Sequence, residues 1–103
     1  MVARPVGKVC IDAGAVKALC TAGKSLLPIG VVGVTGRFDR GDVVEIVSVQ
    51  GETLARGLVN YSAQELEKIK GLRSTKIAQV LGQAPYEEAV HRDNLVLTCN
   101  HRD

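Results

Sequence analysis

The sequence predicts a mixed, mainly β fold: a small barrel of short strands flanked by short α-helices. Three observations lead there. Two runs of strand composition, Val43 to Val49 and Thr53 to Val59, surround the connection Gln50-Gly51-Glu52 and read together as a hairpin. The other strand-like segments are separated by brief helical patterns without the regular βα alternation that a doubly wound sheet needs. Eleven glycines in 103 residues, some of them spaced through β-branched runs, suit a small barrel in which backbones approach closely.

Each element has its own signal. Lys8 to Ile11 reads as a short strand, and Asp12 can cap a helix over Gly14 to Ala22, with Val16, Leu19 and Cys20 on one face and Gly23 as its stop. Ile29 to Val34 is β-branched and reads as the next strand. Asp39-Arg40-Gly41-Asp42 is a turn into the hairpin. Ser62 followed three residues later by Glu65 forms a capping box, which opens a helix with Leu66 and Ile69 inward and Gly71 at its end. Ser74 can cap a further helix that turns Ile77, Val80 and Leu81 inward and stops at Gly82. A loop through Pro85 leads to a last strand, Asn94 to Thr98.

Composition narrows the function. The longest uncharged run, Ser25 to Gly36, has twelve residues interrupted by Pro28, Gly30 and Gly33, far short of the roughly 20 apolar residues that span a bilayer. No membrane partner is expected. The first residues lack an apolar core and a cleavage signature, which predicts a cytoplasmic, reducing setting. Cys10, Cys20 and Cys99 are an odd set without CxxC spacing, so they are expected to be small apolar fillers rather than a zinc site or a disulfide framework. Thirteen basic against eleven acidic residues give a net charge of +2, too little to announce a nucleic-acid protein by itself. The charge is uneven, however. Lys68, Lys70, Arg73 and Lys76 form an acid-free stretch that reads either as a solvated helix face balanced by Glu65 and Glu67 or as a phosphate-binding patch. Three aromatic residues, Phe38, Tyr61 and Tyr86, are too few for base-stacking platforms.

Two motifs mislead. Ala18 to Ser25 satisfies a relaxed phosphate-loop pattern, but such a loop must follow a strand and open a helix, and here the order is reversed. His91-Arg92-Asp93 is similar to a protein-kinase catalytic loop, yet the magnesium-binding Asn required five residues after the Asp is Thr98. A turn closed by Asp93 and Asn94, with Arg92 pairing locally, is the simpler reading. Glu87 and Glu88 are neighbours on a loop and make no acid–base pair, and His91 and His101 are too far apart for a metal cluster. No catalytic residues, metal ligands or cofactors are expected within this chain.

Several blocks carry a resemblance. Leu27-Pro28-Ile29-Gly30-Val31, followed by Gly36, Phe38, Gly41 and Asp42, is similar to the signature of PUA domains, small RNA-binding pseudo-barrels. Asp12-Ala13-Gly14-Ala15, Gly23-Lys24-Ser25-Leu26-Leu27-Pro28, Arg56-Gly57-Leu58-Val59-Asn60-Tyr61-Ser62, Ile69-Lys70-Gly71 and His91-Arg92-Asp93-Asn94-Leu95-Val96 together resemble the C-terminal PUA domain of bacterial glutamate 5-kinases. The resemblance implies a PUA-like pseudo-barrel over 7–98, with a start or linker segment over 1–6 and a tail over 99–103. It also implies a parent enzyme that phosphorylates the side-chain carboxylate of L-glutamate with ATP and magnesium. That chemistry belongs to an upstream amino-acid-kinase domain, the expected partner of this chain, in a parent expected to be a homo-oligomer. The chain itself is then a regulatory or interaction module.

In RNA-binding members the segment after the first helix approaches the RNA. The resemblance therefore makes Gly23, Lys24 and Ser25 candidate contacts to structured RNA, read by shape, phosphate and 2′-hydroxyl, with Lys68, Lys70, Arg73 and Lys76 in support. The simpler reading of Gly23, and the one the modest net charge favours, is a helix C-cap.

Overall fold

The computed structural model describes residues 5–99, so the proposed tail beyond Cys99 and most of the 1–6 segment lie outside it. Strand β1 (Gly7–Ile11) lies in the interior of a five-stranded sheet of order β2-β1-β3-β4-β5. It runs antiparallel to β2 (Val31–Gly36) and parallel to β3 (Val43–Ser48), with Val9 opposite both Val34 and Ile46. Strand β3 continues through the predicted hairpin into β4 (Thr53–Leu58), and β4 carries the short edge strand β5 (Leu95–Leu97). One parallel pair among antiparallel ones confirms the mixed barrel-like sheet.

Alternation decides which side chains face inward. Val9, Ile11, Val44, Ile46 and Leu54 are buried, and they meet Leu19, Leu66, Ile69 and Ile77 from the helices in one cluster. Helix α1 (Ala13–Cys20) is capped by Asp12, whose Oδ1 accepts the Ala15 N–H at 2.8 Å. Helix α2 (Ala63–Ile69) opens on the predicted reciprocal box: Ser62 Oγ accepts the Glu65 N–H and Glu65 Oε1 accepts the Ser62 N–H. Helix α3 (Ser74–Leu81) ends on Gly82 at φ +82°, a left-handed conformation that costs glycine nothing. No helix among the described residues is long and apolar enough to cross a membrane.

Several expectations need correction. Pro28–Gly30 forms a 3₁₀ turn, and β2 begins only at Val31, because Pro28 fixes the first position of a tight turn closed by Gly30 N–H on Leu27 O. Arg73, not Ser74, stands at the N-cap of α3 and gives it no side-chain hydrogen bond. Val80 faces solvent while Ile77 is buried, since a two-turn helix covers the core with one narrow stripe. Asn94 ends a second 3₁₀ turn (Arg92–Asn94) rather than opening β5. Among the described residues, pairing in that turn falls to His91, whose Nδ1 accepts the Asp93 N–H at 3.1 Å, and not to the Arg92 side chain. The cysteines depart furthest. Cys20 and Cys99 are joined by a disulfide with Cα atoms 6.3 Å apart, and only Cys10 is a free, half-buried thiol.

Candidate functional site

The loop that follows α1 is built by the helix end. Gly23 lies at φ +64° with open space where a Cβ would sit, and its N–H closes the helix on Leu19 O at 3.2 Å. The Lys24 N–H bonds Ala18 O at 3.1 Å. These two amides are thus engaged by the helix they follow rather than free for an anion, and the chain next enters the Pro28 turn instead of a helix. The phosphate-loop likeness has no structural counterpart.

Beside this loop is a depression of about 410 Å³. Gly14, Ala15 and Ala18 of α1 form one wall and Leu27, Ile29 and Gly30 the other, with Lys24 and Ser25 at the rim and Glu88 also in the lining. The walls are drawn together by small residues: a Cβ on Gly30 would lie 2.6 Å from the Ala15 Cβ, and the Asp12 N–H donates to Gly30 O at 2.9 Å. Leu27 and Ile29 are 46% and 44% exposed, which leaves an apolar ridge at the mouth. The same two residues line a second depression of about 300 Å³ that ends at Leu72, Arg73 and Ser74, so one continuous surface runs from Lys24 to Arg73. The Gly71 N–H, bonded to Pro28 O at 2.8 Å, ties the α2–α3 junction to this ridge.

The predicted basic residues separate into two groups. Lys24 and Arg73 are exposed at opposite ends of the surface. Lys70 pairs with Glu67 one helical turn away, and Lys68 and Lys76 are exposed on α2 and α3 without lining either depression. Ser25 also serves the fold. Its Oγ accepts the Arg92 N–H at 2.8 Å, holding the loop to the turn before β5 while leaving the hydroxyl proton free to donate. Sequence reasoning missed the Leu27–Ile29 ridge, because a Pro-Ile-Gly run reads as strand until its turn geometry is known.

The far side is braced by ion pairs and hydrogen bonds. Arg40 grips Glu65 through Nε–Oε1 at 2.9 Å and Nη2–Oε2 at 2.5 Å, and this grip, with the Ser62 N–H, holds the Glu65 carboxyl down to about 2. Arg40 also lies 5.8 Å from the Tyr61 ring centroid, and burial pushes the Tyr61 phenol up. The carboxylate is committed to structure. Among the described residues no group of three or more His, Cys, Asp or Glu side chains could hold a metal ion.

A mixed five-stranded sheet flanked by three short helices carries the grooved surface that runs from Lys24 to Arg73. The family model described as PUA domain matches residues 7–81, and the chain belongs to the PUA domain family. Its sequence is 54% identical over 95 residues to a glutamate 5-kinase of Carboxydothermus hydrogenoformans, covering 92% of the chain and 26% of the relative. A glutamate 5-kinase of Synechocystis is 58% identical over 96 residues, with 93% and 26% covered. The chain therefore spans about a quarter of the length of these relatives. Among solved structures, a PUA domain from Aeropyrum pernix K1 in complex with tartrate superposes with a TM-score of 0.61 at 29% identity, covering 84% of this chain and 41% of that one.

Proposed function

We propose that this chain is the PUA domain of a glutamate 5-kinase, a non-catalytic module whose parent transfers the ATP γ-phosphate to the side-chain carboxylate of L-glutamate, the first step of proline biosynthesis. The observation that carries this reading is similarity above 50% along nine-tenths of the chain to enzymes of that name. ATP and magnesium belong, on this reading, to an upstream amino-acid-kinase domain; the Gly23-Lys24-Ser25 loop does not fit the nucleotide, because its Gly23 and Lys24 amides are already bonded to α1 and no helix follows it. The domain acts on the kinase through contact, within a homo-oligomeric parent. The test is phosphotransfer by the purified chain with ATP, magnesium and glutamate, trapped as the hydroxamate. No product above a heat-killed control is expected, and turnover that a point mutation in this chain abolishes would overturn the reading.

A second reading has a specific observation in its favour: an exposed Lys24 beside the Ser25 hydroxyl, at one end of a grooved surface with Arg73 at the other. Structured RNA bound there would be held through phosphate and 2′-hydroxyl. Titration with a tRNA-like RNA at two salt concentrations tests it. Salt-sensitive affinity that Lys24→Ala weakens supports RNA as a ligand; no binding at low salt rejects it.

A further inference from the structure

Helix α1 has only eight residues, too few to persist alone in water, so its position depends on what pins its ends. The N-terminal end is fixed by the Asp12–Gly30 hydrogen bond and the Ala15–Gly30 contact. At the C-terminal end Leu19 is buried, and the next residue, Cys20, is bonded to Cys99 across 79 positions of sequence. Cys99 is itself anchored on the sheet, because its N–H and that of Thr98 both donate to Leu54 O, at 3.0 and 2.8 Å. The bridge therefore ties the last residue of α1 to β4 through the segment following β5.

We propose that the Cys20–Cys99 bond is a reductant-responsive staple that fixes the end of α1 and, with it, the loop Thr21 to Ser25. Its surroundings suit reversal. Both cysteines are half-buried, and their neighbours Thr21, Ala22, Leu97 and Thr98 are exposed, which leaves a dithiol of the thioredoxin or glutaredoxin class room to approach. The exchange balances simply. A reductant thiolate attacks one sulfur, a mixed disulfide forms, and the other cysteine leaves as a thiolate that takes up a proton. The second thiol of the reductant then resolves the mixed disulfide, so two electrons pass from the dithiol to the cystine and the reductant ends as its own disulfide. Opening the bridge leaves Leu19 as the remaining buried anchor of the helix end, and the Gly23 and Lys24 amides, bonded to Leu19 O and Ala18 O, become the first to lose protection.

Thiol counting on the denatured chain gives the first readout: one reactive thiol, that of Cys10, before reduction and three after it. Three thiols in protein equilibrated with a disulfide-rich glutathione buffer would overturn the proposal. Reduction is expected to lower Tm by roughly 10–20 °C, as loss of a bridge closing a long loop should in a domain of this size. Cys99→Ser should start at the lower Tm and no longer respond to reductant; a variant that still responds counts against the assignment. Hydrogen exchange reads the loop apart from the bridge. Faster exchange at Gly23 and Lys24 on reduction, relative to β3 amides, supports the effect on the loop, and uniform protection overturns it.

Discussion

The Tyr61 hydroxyl donates to the backbone carbonyl of Tyr86 and accepts that residue's own N–H at 3.2 Å, so a single buried phenol satisfies both main-chain groups of a residue 25 positions away. The rings meet edge to face at 5.9 Å. Next to this contact the Asn60 side chain donates to Glu88 O, Leu26 exchanges backbone hydrogen bonds with Val90, and Leu26 O also accepts the Ala89 N–H. Residues 86–90 have no regular secondary structure beyond a single bridge at Val90, yet these bonds strap them across the core.

Tyr61→Phe should therefore cost about 1–3 kcal/mol, because it orphans a donor and an acceptor while keeping the ring. Urea unfolding should show a lower midpoint with an unchanged m value. Wild-type stability from this group is fully present below the ordinary tyrosine pKa of 10.0 and is lost as pH rises through the raised folded value. The phenylalanine variant should lack that alkaline loss.

Acid acts through Glu65. Its folded pKa of about 2 lies below the ordinary 4.5, so its contribution is complete above the ordinary value and disappears as pH falls toward 2. Glu65→Gln should flatten the stability profile between those limits. Retention of the full acid slope in the variant would assign it to other carboxylates.

Gly30→Ala brings a methyl group against the Ala15 side chain and should destabilise by about 1–3 kcal/mol, through overpacking of the α1 wall. Pairing it with Ala15→Gly tests the cause. A double-mutant cycle in which the second change recovers part of the loss, beyond the helix-propensity penalty of glycine, locates the strain at this contact.

Ser25 and Lys24 should behave differently. Ser25→Ala removes the acceptor of the Arg92 N–H and should lower stability by about 0.5–1.5 kcal/mol. Lys24→Ala, on an exposed side chain, should leave the unfolding midpoint where it was. Any effect of Lys24→Ala on RNA affinity is then attributable to contact rather than folding.

Local chemistry made much of this fold readable. The Ser62–Glu65 box, the Asp12 cap, the Gly51 connection and the stops at Gly71 and Gly82 each involve residues a few positions apart, where the conformation follows from the side chain itself. What escaped was set by partners far along the chain. The exposure of Val80 depends on which stripe of α3 the core accepts, and the Cys20–Cys99 pairing depends on β5 delivering Cys99 beside the end of α1. The site divides in the same way. Lys24 and Arg73 come to one surface where the α2–α3 junction, tied by the Gly71–Pro28 hydrogen bond, lies against the Leu27–Ile29 ridge.

The interior place of β1 also sets an order of assembly. Of the five strands β1 leaves a ribosome first, but its parallel neighbour β3 is complete only when Ser48 is out, and the strap beneath Tyr61 must wait for Val90. The β3–β4 hairpin can form locally and β2 can cover one edge of β1 early, whereas the other edge of the first strand stays unpaired until β3 is complete. Arrest of synthesis before Val90 should leave a sheet without its closing strap, open to cleavage by a protease that spares the finished domain.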